Sequence, residues 1–91
     1  MPRPIKPRFV RYNPEVKYFK PRGIPLRFLD EVCLGKDEVE AIRLCDLENL
    51  EQTKAAEKMK ISQSTLQRIL VSAHQKIAQA LIQGKAIKIN E

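Results

Sequence analysis

Between Gln52 and Leu70 the apolar side chains fall in a spacing that few folded arrangements satisfy. Ala55, Ala56 and Met59 recur at helical intervals, Ile61 stands apart, and Leu66, Ile69 and Leu70 take up helical intervals again. Two helices must therefore meet at a tight turn that tucks Ile61 beneath both. Ser62 suits the opening of the second helix, because its hydroxyl accepts a bond from a backbone N–H that the helix leaves unpaired. Ala56 is small enough for the crossing point. The spacing predicts a first helix over about 52–59 and a second over about 62–83, with Gly84 as its stop. The second helix carries Leu66, Ile69, Leu70, Ala73, Ile77, Ala80 and Leu81 as one apolar stripe, and Val71, Ala78 and Ile82 as a weaker one. That weaker stripe marks either a dimer surface or a face covered by the N-terminal segment.

The remainder of the chain divides by its prolines. All six lie within the first 25 residues. Residues 1–25 read as a Pro-rich basic arm and residues 26–91 as the helix-turn-helix domain. Alternating prolines in MPRPIKPR forbid a helix and favour an extended arm bearing Arg3, Lys6 and Arg8. Phe9–Tyr12 and Val16–Phe19 are short strand candidates on either side of the Asn13-Pro14 turn signal. Pro25 suits the first turn of a helix over LRFLDEV, which brings Leu26, Leu29 and Val32 to one side. Gly35 then opens a support helix over about 36–48, with Asp37 and Glu38 at its positive end. Its expected buried stripe is Val39, Ile42, Leu44 and Cys45, and Arg43 has Glu40 and Asp46 three residues to either side. Ala86–Ile89 alternates with lysines and reads as a short edge strand, with Phe9–Tyr12 as its candidate partner. The fold class is mainly α, with a short β pairing.

Charge is unevenly placed. Residues 1–27 hold eight Lys/Arg against Glu15 alone, residues 28–51 hold eight acids against two bases, and residues 52–91 hold seven bases against two acids. A chain of net charge +6 with this dipolar layout presents basic ends to a polyanion and turns its acidic block away. Cys33 and Cys45 lack a C-x-x-C neighbour, so zinc has too few ligands, and both read as reduced thiols in or near the core. His74 has no triad or metal partner in the sequence. Nucleophile–base sets, carboxylate pairs and phosphate loops are likewise missing, so the chain does not read as an enzyme and no cofactor or metal is expected. No apolar run approaches the roughly 18 residues of a membrane span, and the cytoplasm is the expected location.

The second helix offers an outer face of Gln63, Ser64, Gln67 and Arg68, side chains that hydrogen-bond base edges. Gln52, Thr53 and Lys54 open the first helix, where phosphates bind, and Lys58, Lys60 and Ser62 are further phosphate candidates. These residues point to sequence-specific binding of double-stranded DNA. Gly35–Leu50 followed by Glu51–Ala80 resembles region four of bacterial sigma factors, in which an acidic helix precedes a helix-turn-helix that reads promoter DNA. The opening MPRP, YFKPRGIP at Tyr18–Pro25, DEVEAIRLCDLENL, AAEKMKIS and the closing GKAI resemble a small prokaryotic family, domain-of-unknown-function family 134. Its members are predicted to bind DNA, which implies a transcriptional regulator. One departure stands out: Lys60 holds the left-handed turn position where such units usually have glycine.

Two other functions fit parts of the sequence. The acidic helix suits a protein–protein module that docks on RNA polymerase. The basic arm with Tyr18 and Phe19 suits single-stranded RNA. Twofold DNA readers bind two half-sites, so a homodimer is expected, though no surface is singled out for it.

Overall fold

The computed structural model of the chain describes residues 14–90. Arg3, Lys6, Arg8 and the strand expected over Phe9–Tyr12 lie outside the described residues. The elements run β1 (Tyr18–Phe19), a 3-10 turn (Leu26–Phe28), β2 (Glu31–Leu34), α1 (Lys36–Ile42), a π-helical turn (Arg43–Leu47), α2 (Gln52–Met59), α3 (Gln63–Gln83) and β3 (Ala86–Ile89). The fold is mainly helical with a small three-stranded sheet.

The helices share one apolar core. Ala41 and Leu44 from the α1 side meet Ala55, Ala56 and Met59 of α2 and Leu66, Ile69 and Leu70 of α3. Three residues join α2 to α3. Lys60 takes the left-handed conformation at φ 58° and ψ 45°, and its N–H bonds the carbonyls of Ala56 and Glu57. A side chain at that conformation costs roughly 1 kcal/mol. Lys60→Gly removes that strain, and the greater freedom of glycine in the unfolded chain offsets part of the gain. The expected result is an intact fold with a slightly higher melting temperature, read by circular dichroism. A clear fall in melting temperature would contradict it.

A second cluster ties the sheet to α3. Leu34, Ala73 and Ile89 are buried together, with Val39, Ile42, Ile77 and Ile87 against them. Strand order is β1-β3-β2. β3 runs antiparallel to β1, with Tyr18 opposite Lys88, and parallel to β2, with Leu34 opposite Ile89. Ala86–Ile89 is thus the central strand, not an edge. Its partners among the described residues are Tyr18–Phe19 and Glu31–Leu34, both from far earlier in the chain.

The helix expected over Leu26–Val32 does not form. A 3-10 turn covers Leu26–Phe28, and Glu31–Leu34 is strand with alternating exposure. The nine residues between Pro25 and Gly35 are too few to repay helix nucleation, whereas β3 offers a ladder of backbone partners. Of the three residues expected on one side, Val32 is buried and Leu26 is exposed. Phe28 is exposed beneath the Arg27 guanidinium, 4.7 Å from the ring centroid. Both cysteines are free; Cys45 is half-buried, while Cys33 points outward from β2 instead of toward the core.

The support helix also differs in detail. It is α-helical to Ile42 and then widens through Arg43–Leu47, closing with Glu48 N–H to Arg43 O and Leu50 N–H to Leu44 O, each 3.0 Å. Leu44 and Ala41 are buried, but so are Glu38 and Glu40. Arg43 pairs with Glu40 at 3.0 Å and Glu48 at 2.6 Å. Asp46 instead meets His74 of α3 at 2.6 Å, because the widened turn rotates it away from Arg43. On α3 the main stripe is covered as expected except at Leu81, which is 74 % exposed because β3 leaves the helix at Gly84, φ 67°.

Candidate nucleic-acid interface

The site builds outward from the α2–α3 turn. Ser62 caps α3: its Oγ accepts the Thr65 N–H at 3.1 Å and donates to Thr65 Oγ1 at 2.9 Å, with Ser64 Oγ 3.2 Å away. The cap fixes where the first turn of α3 begins. Leu66, fully buried, and Ile69 and Leu70 then hold its inner side against α1 and α2. At about 100° per residue, Gln63, Ser64, Gln67 and Arg68 come together within roughly 140° on the opposite side. All four are exposed. Gln63, Gln67 and Arg68 form no hydrogen bond or ion pair among the described residues, so their donors are available.

The other expected residues separate into groups. Gln52, half-buried, and the exposed Thr53 and Lys54 form the first turn of α2, whose N-cap residue Glu51 supplies no side-chain bond. Among the described residues no side chain caps the first backbone N–H groups of α2. Lys54 leans toward Glu57 at 3.7 Å, an exposed pair that costs little to break. Lys58 and Lys60 line a hollow with Glu40, Arg43, Leu44, Glu48 and Glu57, beside acidic groups, and none of the four reader residues lines it. Ser62 spends its hydroxyl on the helix cap.

The acidic helix does not turn wholly away from the reader face. Asp37 and Glu38 line a hollow with Arg68, Thr65, Ser72, Lys76 and Asn90. Both carboxylates are engaged there. Asp37 accepts the Glu38 N–H at 2.8 Å. Glu38 accepts from Gly35 N–H at 2.8 Å, Lys76 Nζ at 3.0 Å and Ser72 Oγ at 2.6 Å. Burial pushes the Glu38 carboxyl up, but the bonds from Ser72, Gly35 and Lys76 outweigh it and hold the group below its ordinary value. This clasp pins the start of α1 to the middle of α3, and sequence reasoning missed it. Lys76 stands eight residues beyond Arg68 at helical spacing, but nothing local marks Glu38 as its partner.

A family model described as "Protein of unknown function DUF134" matches residues 1–91. The chain belongs to the DUF134 family. Similar relatives include a UPF0251 protein of Caldanaerobacter subterraneus subsp. tengcongensis, 60% identical over 89 residues, covering 98% of this chain and 75% of the relative. A UPF0251 protein of Thermoanaerobacter pseudethanolicus is 57% identical with the same coverage. One from Dehalococcoides mccartyi is 53% identical, covering 98% of this chain and 76% of the relative. No solved structure matches this DUF134 chain. Among its described residues no group of three or more His, Cys, Asp or Glu comes together to hold a metal ion, and no helix is long and apolar enough to cross a membrane.

Proposed function

We propose that this DUF134 protein is a sequence-specific DNA-binding protein of the cytoplasm, acting in transcriptional regulation. Its α2 and α3 form the helix-turn-helix, and the start of α3 enters the major groove. The observation that carries this reading is the set of exposed side chains Gln63, Ser64, Gln67 and Arg68 on a helix whose other side is locked in the core. Arg68 suits a guanine held through two hydrogen bonds, and Gln63 or Gln67 an adenine. Gln52, Thr53 and Lys54 suit a phosphate at the start of α2. Lys58 and Lys60, beside carboxylates, add to the general attraction for the duplex.

A titration separates these roles once a bound sequence has been selected from random DNA. Arg68→Ala should cost about 1–3 kcal/mol of discrimination, a loss of roughly five- to 150-fold in preference. Lys54→Ala should weaken all sequences alike and reduce the salt slope by about one. Identical behaviour of the two variants on selected and random duplexes would defeat the division of roles.

A second reading draws on the exposed Leu47, 74 % accessible between the exposed acids Asp46 and Glu48. An apolar knob flanked by carboxylates suits docking on a basic surface of RNA polymerase. Absence of duplex binding at low salt, with polymerase binding lost on Leu47→Ala, would favour it over DNA reading.

A further inference from the structure

We propose that the end of the sheet where Lys17, Leu34 and Asn90 meet is a second DNA-contacting surface, on which Lys36 and Lys88 hold the sugar–phosphate backbone beside the groove that α3 enters. The proposal rests on the DNA-binding reading above and extends the interface from the helices onto the sheet. Main-chain bonds fix which end of the sheet this is. The Ile89 N–H bonds the Lys17 carbonyl at 2.9 Å, and the Asn90 N–H bonds the Leu34 carbonyl at 2.8 Å. The approach to β1, the end of β2 and the end of β3 therefore meet at one place, and Lys36 opens α1 from there. Asn90 lines two hollows. It shares one with Lys17, Tyr18, Lys88 and Ile89. It shares the other with Thr65 and Arg68 of α3 and with Gly35 and Asp37, the neighbours of Lys36. The surface thus runs from the reader residue Arg68 across Asn90 to Lys88.

Charge selects a phosphate backbone as the occupant. Lys36 and Lys88 are exposed and form no hydrogen bond or ion pair among the described residues. A carboxylate opposite Lys88 would stabilise the sheet. Its partners in register are instead Tyr18 and Cys33. Glu31 of β2 lies toward the other end, opposite Ala86, and accepts from the Tyr18 hydroxyl at 2.7 Å. The carboxylates that line the hollow beside Arg68 are already engaged: Asp37 by the Glu38 N–H, and Glu38 by Ser72 and Lys76. Two exposed ammonium groups thus stand next to the reader face with no carboxylate bound to either. An ammonium group binds phosphate as a point charge and reads no base, so these lysines suit backbone contacts.

Helix geometry agrees. Thr65, Arg68, Ser72 and Lys76 line the hollow and share an arc of roughly 80° at about 100° per residue, so the hollow opens on the Arg68 flank of α3. A duplex whose major groove, about 12 Å wide, receives the start of α3 brings one of its two backbones to that flank. The Glu38 clasp holds the start of α1, and Lys36 with it, against α3. The other end of the sheet lies elsewhere. There the Ala86 N–H bonds the Asp30 carbonyl at 2.9 Å, and Lys20 and Lys85 stand beside Leu81 and Gly84. Arg68 and Gly84 are roughly 24 Å apart along α3 at about 1.5 Å per residue. Cations of the same sign at the two ends of one sheet therefore have different roles.

Fluorescence anisotropy of a labelled random-sequence duplex, titrated with the whole chain over roughly 50–200 mM salt, tests the surface. Lys36→Gln and Lys88→Gln should each make the slope of log affinity against log salt shallower by about 0.9, and the double variant by about twice that. Lys20→Gln and Lys85→Gln remove the same charge at the far end of the sheet and should keep the native slope. Glutamine retains much of the lysine stem, so circular dichroism should be unchanged in all four. If Lys88→Gln disturbs the sheet, Lys36→Gln alone supplies the measurement. Equal flattening at both ends would show that only net charge matters and would overturn the proposal. Near-end variants that keep the native slope would overturn it too. In either case a native chain that binds the duplex, with a shallower slope in Lys54→Ala, leaves the DNA reading standing. A native chain without salt-sensitive duplex binding defeats that reading and this inference together.

Discussion

Leu66→Ala should lower stability by about 2–5 kcal/mol, read as a reduced urea midpoint. Leu66 is fully buried in the core where α1, α2 and α3 meet. Its truncation removes apolar burial and leaves a cavity that neighbours from three elements cannot all collapse into. A domain of this size has only about 5–15 kcal/mol of stability in total, so a large part of it would go. The melting temperature should fall by more than about 10 °C, since 1 kcal/mol corresponds to roughly 4–8 °C in a domain of 60–100 residues. The adjacent Gln67→Ala, on the exposed side, should stay within about 0.5 kcal/mol of the native chain. Equal effects at the two positions would mean that α3 is turned about its axis from the orientation described.

Glu38→Ala should cost about 2–3 kcal/mol: three hydrogen bonds to a charged group are lost, each worth up to about 1.5–3 kcal/mol, but the side-chain donors recover part of this from water. Lys76 and Ser72 are partly exposed and regain water, which keeps the loss below that of a fully buried pair. The sign of the pH dependence follows from the lowered carboxyl. The unfolded chain binds more protons than the folded one in this window, so stability from Glu38 is complete above the ordinary glutamate value near 4.3 and is lost as pH falls through the lower folded value. Glu38→Gln keeps the shape and removes the titration. Chemical unfolding at several acidic pH values should therefore show a shallower acid loss in Glu38→Gln than in the native chain. Parallel curves would show that the clasp does not titrate as a unit with folding.

The helical half of the fold was legible because its signals are local. Ser62 caps α3, Lys60 adopts the left-handed turn and Gly84 ends α3, and each depends on residues within one turn of itself. The sheet was not legible. β3 is central only because segments far apart in the chain reach it from both sides. Leu26–Val32 satisfied a helical pattern yet forms a turn and a strand, since the open edge of β3 outweighs a short helix. The candidate site divides in the same way. That Gln63, Ser64, Gln67 and Arg68 share one side of a helix follows from periodicity. That Lys58 and Lys60 stand beside carboxylates, and that Asp37 and Glu38 stand beside Arg68, depends on how α1 crosses α3.

Local signals in the sequence thus set α2 and α3, the turn between them and the polar side of α3, because caps and apolar periods act over three or four residues. Only the tertiary structure decided the partners: Glu38 with Lys76 and Ser72, Asp46 with His74, and β3 with both β1 and β2. These pairings span 28 residues or more in the polar contacts and most of the chain in the sheet. No local pattern carries that information, since a long-range contact is selected by the packing of whole elements against one core.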